Sequence, residues 1–194
     1  VLPNKGSKQF TSSNFLGSLW NAISDLAKNG VRAMATDHQK NIARARGMNN
    51  VNSIEAAAKK ADVPFHVALA LFEKESHGRN VYGNDSGGVL AGYPFPVTRD
   101  NFQAFWFMVN SQGMQSNGVG PSQITSRGLI QQMLNNGLRP WVVEDNMLFG
   151  LRLLRNYHRE NDGSWRIAGT RYNGALSYGV DLVDKIKEWK DRLN

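Results

Sequence analysis

Residues 64 to 78 read PFHVALALFEKESHG, from Pro64 to Gly78. Pro64, preceded by Asp62, opens a helix, and Gly78 closes it. Between them Ala68, Leu71, Phe72 and Glu75 stand at i, i+3, i+4 and i+7, which puts all four on one face. The apolar stripe that should meet the core therefore ends in a carboxylate. Glu73 is turned about 200° from Glu75 on a 3.6-residue helix and is expected to face solvent. A carboxylate on a buried face is costly when charged, so its pKa should rise until it holds a proton near neutral pH. That is the property a general acid needs to protonate the leaving oxygen of a glycosidic bond. The same placement also suits a glutamate that pairs with an arginine or caps a neighbouring helix.

Outward from this segment the chain reads mainly α, in the α+β class. Thr11 to Ser13 offer caps for a helix in which Phe15, Leu16, Leu19, Trp20, Ile23 and Leu26 recur at spacings of three and four. It should stop near Asn29-Gly30. A more polar helix follows over Val31 to Arg46, and Gly47-Met48-Asn49-Asn50 is a break, which puts a soft boundary at residue 50. Ser53 to Lys60 reads as a helix carried by Ala56, Ala57 and Ala58. Residues 79 to 100 are rich in Gly, Asp and Asn and read as loops with a small hairpin. Short helices are expected at Asn101 to Val109 and Ser126 to Asn135. Longer ones follow at Glu144 to Arg159 and Tyr178 to Arg192, with no solenoid repeat.

Composition limits the classes. The chain has 194 residues, 41% hydrophobic and 20% charged, which suits a folded domain with a short extension. Its 23 Lys and Arg against 16 Asp and Glu give a net charge of +7. That favours anionic partners such as nucleic acid, anionic membrane or acidic cell-envelope polymers. The absence of Cys excludes disulfides and thiolate metal sites. No apolar run reaches the roughly 18 to 20 residues that span a bilayer. A start at Val1 rather than Met suggests a piece of something longer. His38, His66, His77 and His158 are scattered, with no H-E-x-x-H, so no metal site is expected. The G-x-S-x-G turn of serine hydrolases is missing too.

Two further motifs carry polar chemistry. Asn117 to Thr125 reads NGVGPSQIT, where Gly118 and Gly120 permit close backbone approach and Gln123 offers a donor and an acceptor. A glycine-rich turn without a ligand reads the same way. Arg171 to Ala175 reads RYNGA, in which Tyr172 and Asn173 either cap a helix or serve a site.

In this order, Glu75-Ser76, then G-x-G-x-x-Q-I, then Asp145-Asn146 with Gly150, then Y-N-G, the chain resembles soluble lytic transglycosylases and the goose-type lysozymes that share their fold. Phage lysins and virion wall-cutting proteins are similar. The resemblance covers roughly residues 51 to 190. It implies a lysozyme-like catalytic domain over 51–194, with a small loop-rich or β middle region, and residues 1–50 as an N-terminal helical extension or linker. It implies Glu75 as the catalytic glutamate. Ser76, Gly118, Gly120, Gln123, Ile124, Tyr172 and Asn173 would line the glycan groove, with Tyr172 orienting Glu75. The implied partner is bacterial peptidoglycan, with anionic wall polymers and other domains of a longer virion or lysin chain beside it. The implied setting is extracellular, at the bacterial cell wall, or virion-associated. No cofactor is implied, and no specific nucleic acid.

Two departures stand out. The stretch between Glu75 and Gly118 is longer than usual and carries Tyr93, Phe95, Phe102, Phe105, Trp106 and Phe107. These rings either stack on sugars or pack a sub-core. Val119 and Ile124 also replace commoner residues. Two mechanisms are open: a transglycosylase needs one glutamate, whereas an inverting muramidase needs a second carboxylate to activate water. The candidates for that group are Asp85 and Asp100. Outside this class, Lys40, Arg44 and Arg46 form a basic helix edge that would suit a nucleic-acid binder, and the helix over Phe15 to Leu26 would suit a virion or membrane surface.

Overall fold

The structure is a computed structural model that describes residues 34–90 and 95–194. The helix read over Phe15 to Leu26 and the ring of Tyr93 lie outside the described residues. Eight helices occupy the described residues: α1 Asp37–Ala45, α2 Val51–Ala61, α3 Phe65–Glu75, α4 Arg99–Ser111, α5 Arg127–Asn135, α6 Val143–Arg159, α7 Trp165–Asn173 and α8 Leu176–Leu193. The protein is mainly α, as its periodicity predicts. Among its described residues the middle region holds three isolated antiparallel bridges, Val81 with Pro96, Tyr82 with Val119, and Val119 with Ile124.

The central element is α3. Val67, Ala68, Leu69, Ala70, Leu71 and Phe72 are all 0% exposed, so the helix is buried on every side rather than along one stripe. A helix apolar all round belongs in a core, and each large side chain buried there contributes about 1.5–3 kcal/mol. α3 packs against α2 and α8; α6 packs against α2 and α7, and α7 against α8. Two glycines allow that last pair to close. A Cβ on Gly169 would meet Leu182 Cδ2 at 2.8 Å and Gly179 Cα at 3.1 Å.

All-round burial corrects the expectation for Glu73. Its side chain is only 9% exposed. Oε2 accepts from Trp189 Nε1 at 2.7 Å, and Oε1 lies 3.2 Å from Arg46 and 3.3 Å from Lys185. Burial works against the charge, but Trp189, Lys185 and Arg46 outweigh it and hold Glu73 below the ordinary carboxylate range. The side of α3 opposite Glu75 meets α8 and α1, not water.

The boundary also moves. The chain divides between Ala33 and Met34, with Met34–Asn194 as one unit. Ala43 and Met48 share a core with Leu71 and Trp189, and Gln39 Nε2 donates to Leu193 O at 2.9 Å. Residues 34 to 50 thus belong with the rest. α1 starts later than expected because Thr36 and Gln39 form a capping box. Its basic edge is engaged internally: Lys40 pairs with Asp37 and Glu55, Arg46 with Glu73 and Glu188, and Arg44 donates to Asn41 and Asn52.

A second core gathers the middle of the chain: Tyr82, Val97, Phe102, Phe105, Val109, Val119, Ile124, Ile130, Met133 and Phe149. Of the aromatic segment, Phe102 and Phe105 therefore pack a sub-core and Trp106 leans on it, while Phe95 and Phe107 are exposed. Tyr172 touches both cores. No helix among the described residues is long and apolar enough to cross a membrane.

Candidate active site

Glu75 is the last residue of α3, where the helix leaves the core. Ser76 follows in a non-helical conformation, is 4% exposed, and donates its hydroxyl to Pro121 O at 2.9 Å. This buried bond ties the end of α3 to the glycine loop. The serine read as a groove residue instead holds two backbone segments together.

The loop from Asn117 to Ile124 is fixed from three further directions. Asn146, fully buried on α6, accepts from Ser122 N at 2.8 Å, and its Nδ2 donates to Val119 O at 2.9 Å and Pro140 O at 3.3 Å. Gly120 has φ +69, and a Cβ there would come within 2.6 Å of the Asn146 amide. Both its conformation and its neighbour require glycine. Gly150 lies one turn along α6, where a Cβ would collide with Ser122 and approach Tyr172 Oη at 3.1 Å. Tyr172 donates its hydroxyl to Ser122 O at 2.7 Å.

Gly118 and Gly120 do not offer their backbone to a ligand. Gly118 N donates to Asp85 Oδ2 at 2.7 Å, and Gly120 N to Val81 O at 3.1 Å. Gln123, at φ +48, spends its amide nitrogen on Val81 O and Gly120 O, at 3.0 and 2.8 Å. Those two donor bonds fix the amide's orientation and leave Oε1 as its atom for a ligand.

What these constraints enclose is a cavity of about 230 Å³ lined by Glu75, Gln123, Ile124, Thr125, Ser126, Leu129, Leu153, Tyr172 and Asn173. Residues from all three motifs meet there, although Glu75 and Tyr172 stand almost a hundred positions apart. Thr125, Ser126, Leu129 and Leu153 were not read from the sequence. They give the cavity hydroxyls on one side and an aliphatic wall on another.

Tyr178 was also missed as a site residue. It sits in the first turn of α8, and its hydroxyl donates to Glu75 Oε1. The expected partner, Tyr172, is bonded elsewhere. A signal was present: Tyr178 and Leu182 are i and i+4 on the buried stripe of α8, and a tyrosine on such a stripe needs a partner for its hydroxyl.

The electrostatics separate the two glutamates of α3. Burial pushes the Glu75 carboxyl up to about 7; the Tyr178 hydrogen bond and the Lys74 charge oppose this, and the Asp85 charge adds to it. Burial and the same carboxylate keep the Tyr178 phenol protonated far into the alkaline range. Of the two other carboxylates read as candidates, Asp85 is therefore within electrostatic reach of Glu75. Asp100 is exposed in the first turn of α4, where it complements the helix N-terminus. A carboxyl near 7 at a cavity wall can give up a proton at neutral pH and take one back. No family model matches the chain, and no curated protein and no solved structure matches it.

Proposed function

We propose that this chain cleaves the β-1,4 bond between MurNAc and GlcNAc in bacterial peptidoglycan, with a lysozyme-like fold and the single-glutamate mechanism of a lytic transglycosylase. One observation carries the reading. Among the described residues the one carboxyl on the cavity wall is Glu75, held protonated to about pH 7, and residues of three motifs converge on it.

In this mechanism Glu75 gives its proton to the glycosidic oxygen as the bond from C1 breaks. The 6-hydroxyl of the same sugar then closes on C1, and its proton returns to the Glu75 carboxylate. No water is consumed, and the product ends in a 1,6-anhydro ring. Tyr178 suits both stages, because its donated hydrogen bond stabilises the carboxylate left after the first transfer. Gln123 Oε1, Asn173, Thr125 and Ser126 are polar partners for hydroxyl and acetamido groups, and Leu129 and Leu153 take the apolar face of a sugar ring. The internal pairing of Lys40, Arg44 and Arg46 speaks against the nucleic-acid reading. A phage lysin or virion-associated protein acting at the cell wall is the setting we favour.

A second reading rests on Asp85, whose charge is felt at Glu75. An inverting muramidase would use it to activate water. Purified peptidoglycan digested with the wild type, Glu75→Gln and Asp85→Asn tests both. Release of anhydro products by the wild type and by Asp85→Asn, with none from Glu75→Gln, supports the proposal. Reducing ends that vanish in Asp85→Asn support the muramidase. Wall cleavage by a folded Glu75→Gln variant refutes both.

A further inference from the structure

Lys74 directly precedes Glu75 in the last turn of α3, and its surroundings are unusual for a lysine. Its side chain is 14% exposed. The ammonium sits 4.5 Å from the centroid of the Tyr178 ring and 3.4 Å from Asp181 Oδ2. Asp181 is three residues after Tyr178 on α8, so the carboxylate and the ring hold the cation from one helix. The phenol at the far end of that ring is the group that donates to Glu75 Oε1. A lysine wanted only for solubility would extend into water, and its pair with a largely exposed aspartate would contribute little. Partial burial makes the cation–ring contact stronger than it is at an open surface.

We propose that Lys74 is a positioning residue for Glu75 that acts through the Tyr178 ring. The cation against the ring fixes the direction of the phenol. It also draws electron density from the ring, which makes the hydroxyl a stronger donor to the ionised carboxylate. Lys74 thereby sets how readily Glu75 lets go of its proton and how well the resulting anion is held. The inference rests on Glu75 as the proton donor of the proposed function, but the coupling exists whatever the substrate.

The other groups around the pair are few. Tyr178 and Asp181 face it from α8. The Asp85 carboxylate in the loop after α3 adds an unfavourable charge interaction with Glu75, while the buried Tyr172 phenol on α7 is kept protonated by burial and by the Glu75 charge. α2, the remaining helix packed on α3, directs its buried Glu55 to Lys40 of α1. Lys74 is the cation that opposes burial at Glu75, and Tyr178 is the neutral donor that does so.

The test follows the Glu75 carboxyl directly, by carbon-13 NMR of glutamate-labelled protein, with Glu75→Gln assigning the resonance. Lys74→Met should move the midpoint of Glu75 upward by about 0.5–1 pH unit, a three- to tenfold gain in proton affinity. Lys74→Arg should restore it to near the wild-type position, and Lys74→Gln serves as a second neutral variant if Lys74→Met does not fold. In a Tyr178→Phe background the Lys74→Met effect should shrink, since the ring no longer carries a hydroxyl to Glu75. The alkaline limb of wall cleavage should move with the midpoint. An unchanged midpoint in a folded neutral variant overturns the proposal, as does Lys74→Arg behaving like Lys74→Met or full additivity with Tyr178→Phe. A shifted midpoint without wall cleavage by the wild type would refute the proposed function and leave this coupling standing.

Discussion

Glu75→Gln should stabilise the protein, and by an amount that grows with pH. Burial raises the folded carboxyl from its ordinary 4.5 to about 7. In the unfolded chain the group ionises near 4.5, so between these values the unfolded state releases a proton that the folded state keeps. Stability is therefore lost as pH rises from about 4.5 to 7, and the loss is complete above 7. The difference, 7 minus 4.5, is worth about 3 kcal/mol at about 1.36 kcal/mol per pH unit. Gln accepts the Tyr178 hydroxyl as neutral Glu does, but it carries no proton to lose. Near pH 4.5 the two proteins should be of similar stability; at pH 8 the variant should lead by up to about 3 kcal/mol. For a unit of this size that is on the order of 6–12 °C in Tm. Urea unfolding at half-unit intervals from pH 4.5 to 8 reads the effect, with Glu73→Gln as a contrasting control that should be destabilised by a nearly constant amount across this range, because Glu73 is held low by its partners and titrates below it. A stability gap between wild type and Glu75→Gln that stays flat across this range would refute the burial argument, and with it the case for Glu75 as an acid at neutral pH.

Four other substitutions probe the frame around the carboxyl. Tyr178→Phe removes the donor that favours ionised Glu75, so a carbon-13 titration should show the Glu75 midpoint rising. Tyr172→Phe should instead orphan the buried Ser122 carbonyl and lower stability by about 1–2 kcal/mol in urea melts. Gly150→Ala forces a methyl against Ser122 and Tyr172 and should cost about 1–3 kcal/mol by thermal melts. Asn146→Ala leaves Ser122 N without an acceptor and takes from Val119 O one of its two donors, the other being Ile124 N, which should cost about 1–3 kcal/mol and speed hydrogen exchange at Ser122.

The helices that could be read from sequence are those whose own residues decide them. α3, α6 and α8 carry long apolar repeats, and each forms close to where the spacing puts it. α7 had no such pattern. WRIAGTRYN is mostly polar with a glycine in the middle, and its stability comes from the tight seam of Gly169 against Gly179 and Leu182. A glycine that weakens a helix by itself can strengthen a helix pair, and no window of a single element contains that information. Glu73 failed for a related reason. Helical phase gives the angle between two side chains, but which side meets water depends on what α8 and α1 bring up from residues far along the chain.

The motif residues separate along the same line. Glu75 was legible because burial and chemistry act on one residue in one helix. Ser76, Gly118, Gly120 and the Gln123 amide nitrogen also stand out in the sequence, yet each is consumed within the protein: a hydroxyl on Pro121 O, backbone N–H groups on Asp85 and Val81, an amide on two carbonyls. Their spacing encodes how a loop is folded against the end of α3 so that a carboxyl can stand at a cavity wall and stay protonated. Beside Gln123 Oε1 and Asn173, the atoms that line the cavity come mostly from elsewhere, from Thr125, Ser126, Leu129 and Leu153. If so, the two sets should respond differently to substitution. Changes at Ser76, Gly120 or Asn146 should move stability and proton affinity together, whereas under the proposed function Thr125→Val or Leu129→Ala should alter the preference among glycan substrates while leaving the Glu75 midpoint in place. On the proposed function, a loop that holds an acid, surrounded by side chains free to meet a substrate, can keep its chemistry while its specificity changes.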